Sequence, residues 1–527
     1  MSREMKRLLL FALTLPMLAA CGREKLPEET PLRLPQGEIY HGLIQLGDKL
    51  EDPYTVENMQ EAFSKVYPTK AGRVDIRPTD LYVRFLPKDD NELKQLEDAG
   101  LYLLDHPMDY QIVREGDYYR DPLLNEESIT WQYAVVPQDF VFPEGIRCEV
   151  LDRCYISEHD PMTRLADGID WTLVEREAFR LTGNEDRWVP PTRAVDAMPR
   201  GRITVVDPAV SGGKPFGLAG VKVVANVFVK IGMGWTDRDG YYQLDQSFSS
   251  DPRYRLVFQN EKGFSVGLNL ILIPASVSTL GTGSPEGVDF QVDEESDPAL
   301  FRRSVVNNAA WEYYARCTSS DLEVSPPPGD LRIWIMPMLS ASSSVMLHHG
   351  AFLDQNLIQK YLGEYLGIIK IFLPDVTIGT DGMQNYQQIY RATVHELAHA
   401  SHYAQVGNLF WGSYIRYVIE SFVTEGGRPY GSGLADGAGY CEIGEMWAYF
   451  LEASLFKDRY GGSMPSYSYW FKPEIFSYLY ERGMTRGEIF RSLKGSVTST
   501  DDLKEELIRL YGEREDAIRQ TFNRYGK

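Results

Sequence analysis

One helical stretch, Arg391 to Tyr403 with the sequence RATVHELAHASHY, restricts the fold and chemistry of this chain more than any other. Because a helix turns once per about 3.6 residues, His395 and His399 project from one face about one turn apart, close enough to hold one metal ion. Glu396 lies about 100° around the helix from His395, where its carboxylate could take a proton from a metal-bound water. The spacing therefore predicts a zinc site with a position left for water.

The third protein ligand that such a zinc site needs has two sources in the sequence. His402 shares the helix face but stands about 4.5 Å further along the axis than His399, so we expect it to line the pocket instead. A later helical segment rich in apolar residues, from Gly439 to Glu452, carries Glu442 and Glu445 three positions apart. Periodicity alone does not choose between these two carboxylates.

This later segment resembles the glutamate helix of the gluzincins, zinc metallopeptidases in which several families follow the pattern Glu-x-x-Ala-x-aromatic-x-Glu. Glu445, Ala448, Phe450 and Glu452 match that pattern. The resemblance implies that Glu445, rather than Glu442, is the third ligand. Ala448 also has a physical use, because a small residue one turn from the ligand lets two helices approach closely.

The resemblance implies a zinc-dependent metallopeptidase that hydrolyses peptide bonds of a protein or peptide substrate. Glu396 would be the general base and His395, His399 and Glu445 the ligands of Zn²⁺. An alternative from a different class stays open, in which a zincin-like domain without catalysis serves as a binding or assembly module. Further candidates for substrate contacts, transition-state contacts or orientation of a ligand imidazole are His402, Tyr440, Tyr449 and Asp436.

The start of the chain has the composition of a targeting segment. Three basic residues within the first seven positions precede an apolar run, Leu8 to Leu18, that is too short to span a bilayer comfortably, and Leu-Ala-Ala-Cys follows, ending at Cys21. This resembles the bacterial lipoprotein signal. It implies a signal peptide over residues 1–21 and a lipid anchor at Cys21 in the cell envelope, and Gly22 favours the outer membrane. Both the periplasmic and the surface-exposed face stay open.

The overall composition is that of a globular protein. Its 527 residues suffice for about three domains, and 43% hydrophobic and 24% charged residues argue against wholesale disorder. The formal net charge of -21 argues against a nucleic-acid partner, which would require a basic face. Besides Cys21 the chain has four cysteines, of which Cys148 and Cys154 are close enough in sequence to pair, and the sequence leaves that pairing open.

Composition and periodicity divide the rest of the chain into segments. Residues 22–64 are rich in Pro, Glu and Gly and are predicted to be a tether. Residues 65–195 mix strand and helix patterns and are predicted to be an α+β module of unknown role. The predicted fold class is therefore multidomain α+β, with this module, a small β-sandwich over residues 200–293 and a mainly helical zincin-like domain over residues 296–527.

The sandwich is predicted from short β-branched runs separated by turns rich in Gly and Asp. The runs are residues 203–206, 221–229, 241–244 and 254–258. The segment is similar to the carboxypeptidase regulatory-like, transthyretin-type sandwich in three stretches, GRITVVD from Gly201, LAGVKV from Leu218 and TDRDGYYQL from Thr236. Because such modules are common spacers in exported bacterial proteins, no catalytic role is expected for it.

The zincin-like domain is predicted from strands that precede the His helix. Leu331 to Met336 and Ile368 to Leu373 have strand patterns, and this order resembles the zincin fold. The second strand is expected to lie beside the cleft and to pair with the backbone of an extended substrate. His348 and His349 are adjacent, so they point in different directions and are expected to be core or surface residues.

Overall fold

The chain has a mixed α+β fold with a mainly helical C-terminal region. The computed structural model describes residues 43–70, 74–116, 119–124, 128–161, 168–188, 198–268, 277–340, 345–346, 375–383, 385–425 and 430–527. The predicted signal peptide with Cys21, the predicted strand from Ile368 and the pair His348 and His349 lie outside the described residues.

The N-terminal part is built on a three-stranded antiparallel sheet. Its elements are β1 (Gln45–Lys49), α1 (Val56–Val66), β2 (Asp80–Leu86), α2 (Asp90–Asp98), β3 (Tyr110–Arg114), β4 (Gln132–Pro137), β5 (Arg147–Cys154) and α3 (Trp171–Leu181). Strand β2 lies between β4 and β5, and β1 pairs separately with β3. Helix α2 begins after Asp89, whose side chain accepts hydrogen bonds from the backbone N–H groups of Asn91 and Glu92. The α+β pattern predicted for this segment is therefore present.

Part of the predicted tether is folded, since β1 and most of α1 lie within residues 43–64. Helix α1 buries Met59, Ala62 and Phe63, which pack in one cluster with Val174 of α3. Their spacing places the three side chains on one helix face. The folded part therefore begins before residue 65. The abundance of Pro and Glu in the whole segment obscures this local pattern in the sequence.

Cys148 and Cys154 are both free thiols. They belong to the same extended strand, β5, and the six steps between them correspond to about 20 Å of backbone. Disulfides require Cα atoms within about 7 Å of each other. Strand geometry therefore excludes the pairing that the sequence leaves open.

The middle of the chain forms strands of two sheets. They are β6 (Arg200–Val205), β7 (Phe216–Gly217), β8 (Val221–Val227), β9 (Lys230–Trp235), β10 (Tyr241–Gln243), β11 (Arg253–Asn260), β12 (Ser265–Leu268), β13 (Val277–Thr282) and β14 (Phe290–Val292). The smaller sheet has the order β10-β6-β14 with β7 on β6. The four β-branched runs predicted as strands overlap β6, β8, β10 and β11.

The C-terminal region completes the larger sheet and adds the helices. Its elements are α4 (Pro298–Cys317), β15 (Arg332–Ser340), β16 (Val345–Met346), β17 (Val376–Asp381), α5 (Tyr386–Val406), α6 (Asn408–Thr424), α7 (Ala438–Tyr460), α8 (Glu474–Glu481), α9 (Arg486–Ser492), α10 (Thr500–Leu510) and α11 (Glu515–Arg524). None of the helices within the described ranges combines the length and apolar character needed to cross a bilayer.

The larger sheet joins two segments that the sequence treats as separate domains. Strand β12 pairs in parallel with β15, which pairs in parallel with β17, giving the order β16-β17-β15-β12-β11-β8-β9 with β13 on β11. The buried side-chain amides of Asn307 and Asn308 on α4 donate to the carbonyls of Ala219 and Gly217, each at 2.9 Å. The boundary predicted between residues 293 and 296 therefore runs through one packed unit.

Helices α5 and α7 are held against each other by close packing and by hydrogen bonds between them. The indole Nε1 of Trp447 on α7 donates to the carbonyl of Ala398 on α5 at 3.2 Å. Ala448, which was expected to permit close approach, is fully buried. On the other side of α5, Tyr313 of α4 donates its hydroxyl to Ser401 at 2.9 Å. These contacts fix the helix faces that carry the predicted ligands.

The first turn of α7 gives a test of this packing. A Cβ added to Gly439 would lie 1.9 Å from the carbonyl oxygen of Thr498, so the backbone of one segment would have to move. We expect Gly439→Ala to lower the free energy of unfolding by about 1–3 kcal/mol in chemical denaturation. The control is Gly512→Ala, where a Cβ meets open space and a change within about 0.5 kcal/mol is expected. Equal stability of the two variants would contradict this close approach.

Candidate metal centre

Three buried side chains of metal-ligand type meet where α5 contacts α7. His395 and His399 come from successive turns of α5, and Glu445 comes from α7; they are 3%, 1% and 0% exposed. His395 Nε2 lies 3.5 Å from Glu445 Oε2, and His399 Nε2 lies 3.5 Å from Glu445 Oε1. The structure thus brings together the two histidines of the motif and one of the two candidate carboxylates.

These separations fit ligands arranged around one ion. Zinc bonds of about 2.0–2.2 Å in a tetrahedral site place neighbouring ligand atoms roughly 3.3–3.5 Å apart, whereas a direct N–H···O hydrogen bond is about 2.9 Å. Suitable atoms of the three residues all lie within 4.8 Å of one another. His395 Nε2 and Glu445 Oε2 are buried and make no hydrogen bond in the described part of the chain. Two imidazoles and one carboxylate are a donor set that zinc accepts.

Glu442 points to different partners. Its Oε1 accepts from the ammonium of Lys527 at 2.5 Å, and its Oε2 accepts from the hydroxyl of Thr500 at 3.4 Å. Of the two carboxylates that periodicity leaves open, Glu445 is therefore the one that reaches the imidazoles.

A second carboxylate orients the first imidazole from behind. Glu452 Oε2 lies 3.1 Å from Nδ1 of His395, and its Oε1 accepts from Arg391 Nε at 2.6 Å. Such a partner fixes the tautomer and ring orientation of a ligating histidine. Asp436, the sequence-based candidate for this role, is exposed in the loop before α7, so Glu452 replaces it.

The charges of the centre are strongly coupled. Burial alone would lower the pKa of His395, but its contacts with the carboxylates of Glu445 and Glu452 and the charge of Glu396 outweigh burial and raise that pKa to about 10. Burial lowers the pKa of His399 despite the opposing charge of Glu445. Without a metal, one proton therefore sits on the His395 side of the cluster. A divalent cation would displace that proton on binding.

Tyr414 of α6 is a part of the centre that the sequence analysis missed. Its hydroxyl donates to Glu445 Oε1 at 2.5 Å, and its ring centroid lies 5.9 Å from that of His399. Trp411, one turn earlier, packs its ring 5.3 Å from His399. Nothing in the aromatic-rich sequence of α6 distinguishes one tyrosine as a partner of a carboxylate on another helix.

His402 lies one turn beyond the centre and is fully buried. Its ring packs against Phe410 and Trp411 at centroid distances of 4.9 and 5.8 Å. Burial, with a smaller effect from the charge of His399, lowers its pKa to about 3, so the ring is neutral. His402 therefore lies in an aromatic environment beside the three ligand-type side chains and is not one of them.

The other residues to which the sequence assigns a role at the centre differ in their surroundings. Tyr449 places its ring 4.6 Å from that of His395, but its hydroxyl is hydrogen-bonded to those of Tyr430 and Tyr469. Tyr440 packs against the ring of Phe410 at 5.0 Å. Glu396 is 1% exposed and lies beside His395, whose pKa its charge raises.

Comparison with known proteins gives no match, either to a family model or to a curated protein. The assignment of a function therefore rests on the residues of the centre.

The choice between the two carboxylates can be tested directly by metal content. We expect wild-type protein dialysed against zinc to retain about one ion per chain, and Glu445→Gln to bind zinc at least about 100-fold more weakly because an anionic ligand is lost. Glu442→Gln is the matched control, because its carboxylate pairs with Lys527 and Thr500. Elemental analysis measures the zinc content of each protein, and chelator competition measures its zinc affinity. Equal zinc affinity in Glu445→Gln and wild type would remove Glu445 from the centre.

The contact of Glu452 with the imidazole of His395 gives a separate testable prediction. Glu452→Gln removes the charge behind His395, and we expect zinc affinity to fall by about 10–100-fold while the fold is retained. Exposed Glu481 on α8 supplies the control Glu481→Gln, which should leave affinity unchanged. Chelator competition with circular dichroism as the folding check is the measurement, and unchanged affinity in Glu452→Gln would show that the contact does not tune the ligand.

Proposed function

We propose that this chain is a zinc-dependent peptide hydrolase of the gluzincin type. The convergence of His395 and His399 on one helix with Glu445 on a later helix carries this proposal. We further propose that residues 200–293 form a transthyretin-type sandwich and residues 296–527 a zincin-like catalytic region. Both would follow an N-terminal α+β module. The sandwich would support the catalytic region through the shared sheet.

The chemistry that zinc supplies at such a centre is polarisation of a carbonyl and a lowered pKa, near ~7, for water. His395, His399 and Glu445 would hold the ion. Glu396, the motif residue outside the ligand set, would accept a proton from the attacking water and pass it to the leaving nitrogen. Glu452 would keep Nε2 of His395 directed at the ligand position by holding Nδ1.

The proposed location follows from the start of the sequence. The lipoprotein-type signal ending in Cys21 supports export and anchoring of the chain to a membrane of the bacterial envelope through a lipid on that cysteine. The charge of -21 supports a protein or peptide substrate over nucleic acid. The anchor is tested by comparing wild type with Cys21→Ala in electrophoretic migration and in metabolic labelling with a fatty-acid analogue.

Burial favours a second candidate function. None of the three ligand-type residues is more than 3% exposed. A zincin-like domain that binds metal without catalysis, and serves as a binding or assembly module, fits such an enclosed centre. The intact Glu396 favours the hydrolase, because a module without catalysis has no need of a general base.

Glu396→Gln separates the two functions. In the hydrolase this variant retains zinc but loses peptide hydrolysis by about 10²–10⁴-fold, because the proton acceptor is gone. The substrate is a mixture of peptides covering many sequences, and cleavage is followed by mass spectrometry of zinc-loaded protein. Glu442→Gln is the control with wild-type activity expected. Zinc binding without cleavage of any peptide by wild type would favour the module, and full activity of Glu396→Gln would exclude the proposed mechanism.

A further inference from the structure

A cavity of about 330 Å³ lies at the junction of the N-terminal part and the larger sheet. Its lining comes from α2 and the chain after it and from strands including β8, β9, β11 and β13, and none of it comes from α5 or α7. The size is within the range of small-molecule sites. This cavity is therefore separate from the metal centre and has no role in the proposed hydrolysis.

Two guanidinium groups from one strand line the cavity. Arg253 and Arg255 are two positions apart on β11, so they project from the same face of the sheet. Arg255 is only 2% exposed, and the side chain of Arg253 is 14% exposed. Burial and the neighbouring charge of Arg255 lower the pKa of Arg253 to about 10. Two cations thus share a partly dehydrated space.

Among the described residues, the hydrogen-bond partners of the inner guanidinium, that of Arg255, are neutral. Arg255 Nη2 donates to the side-chain oxygen of Asn226, and Nη1 lies 3.4 Å from Nε2 of His106. Burial lowers the pKa of His106; Asp105 opposes that shift and the guanidinium charges add to it. The ring is therefore neutral, with Nδ1–H donating to Asp105 at 2.8 Å and Nε2 accepting from Arg255.

The nearby carboxylates have other partners. Glu115 pairs with Arg253, and Asp105 accepts from His106 and from the backbone N–H of Tyr119. Glu261, which also lines the cavity, accepts from the indole of Trp311 at 2.9 Å. The fourth carboxylate, on Glu97, interacts electrostatically with Lys222, another lining residue. No ion pair to Arg255 exists among the residues that the structure describes, which makes its burial costly.

Three hydrogen-bond donors of the lining are buried and unused. They are Nε of Arg255, Nε of Arg253 and the hydroxyl of Tyr102, which make no hydrogen bond within the described ranges. Buried donors normally have partners, because leaving one unpaired costs free energy. All three belong to residues around a single cavity. The missing partner is therefore an acceptor, and the charge of Arg255, which has no ion pair within the described ranges, indicates that the partner is negative.

We propose that this cavity binds a small ligand through an oxyanion, either a carboxylate or a phosphate group. Its oxygens would accept from Arg255, Arg253 and Tyr102, a geometry for which planar guanidinium groups are suited. Apolar lining, including Trp235 and Val257, would contact the body of the ligand. The anion supplies the counter-charge that Arg255 lacks and links the N-terminal part to β11.

Calorimetric titration of the full chain with chosen probes tests this site. The probes are inorganic phosphate, 3-phenylpropionate and, as the uncharged match, 3-phenylpropionamide, with sodium chloride at equal ionic strength and EDTA present to exclude metal-bound anions. We expect saturable binding of phosphate or phenylpropionate and none of the amide; which anion binds more tightly identifies the headgroup. Absence of saturable binding for both anions overturns the proposal.

Variants locate the binding. Arg255→Met should weaken anion binding at least about tenfold, because charge-assisted hydrogen bonds are lost, and Tyr102→Phe should weaken it several-fold. Exposed Arg238 on the same part of the chain gives the control Arg238→Met, with unchanged affinity expected. Equal affinity in Arg255→Met and Arg238→Met overturns the proposal. If Arg255→Met does not fold, Tyr102→Phe is the deciding variant. Unchanged anion affinity in Tyr102→Phe then overturns the proposal.

Thermal unfolding adds a readout that does not depend on the probe. Without anions, Arg255→Met should unfold at the same or a higher temperature than wild type, because it removes a buried charge that has no counter-charge. With a binding anion, wild type should gain stability and the variant should not. An anion-dependent gain of equal size in both would contradict binding at Arg255.

Discussion

The burial of the Glu445 carboxylate between two helices is the constraint on which the candidate centre depends. A carboxylate with no solvent exposure costs several kcal/mol unless charges and hydrogen bonds compensate it. Here the compensation comes from His395, His399 and Tyr414, which are brought to it by α5 and α6. The contact of Trp447 with α5 fixes the distance between the helices, so packing and polar contacts specify the same arrangement.

The larger sheet extends this constraint across the molecule. Because β12 pairs with β15, the middle segment of the chain and the helical region share one sheet. The end of α7 is also tied to the middle segment, because Tyr460 donates to buried Asp207 at 2.6 Å. The same sheet carries Arg253 and Arg255 on β11 at its contact with the N-terminal part. One scaffold therefore supports two chemically different sites, the candidate metal centre and the cavity proposed to bind an anion.

Local features of both fold and centre could be predicted from sequence, because their causes are local. The spacing of His395 and His399 depends only on one helix, and the alternating runs of the middle segment predict strands in the same way. The choice of Glu445 depends on where α10 and Lys527 hold Glu442, and the role of Tyr414 depends on how α6 crosses α7. The alternation of apolar and polar residues along a strand does not show which distant strands pair in parallel, so the shared sheet could not be predicted.

X-ray absorption spectroscopy of the zinc-loaded protein at the zinc edge tests the central claim most directly. Ligation by His395, His399 and Glu445 predicts four nitrogen or oxygen ligands at about 2.0–2.2 Å, with imidazole scattering from two rings and one position filled by solvent. A sulfur shell at about 2.3 Å, scattering from a single imidazole, or a protein that takes up no zinc would contradict it.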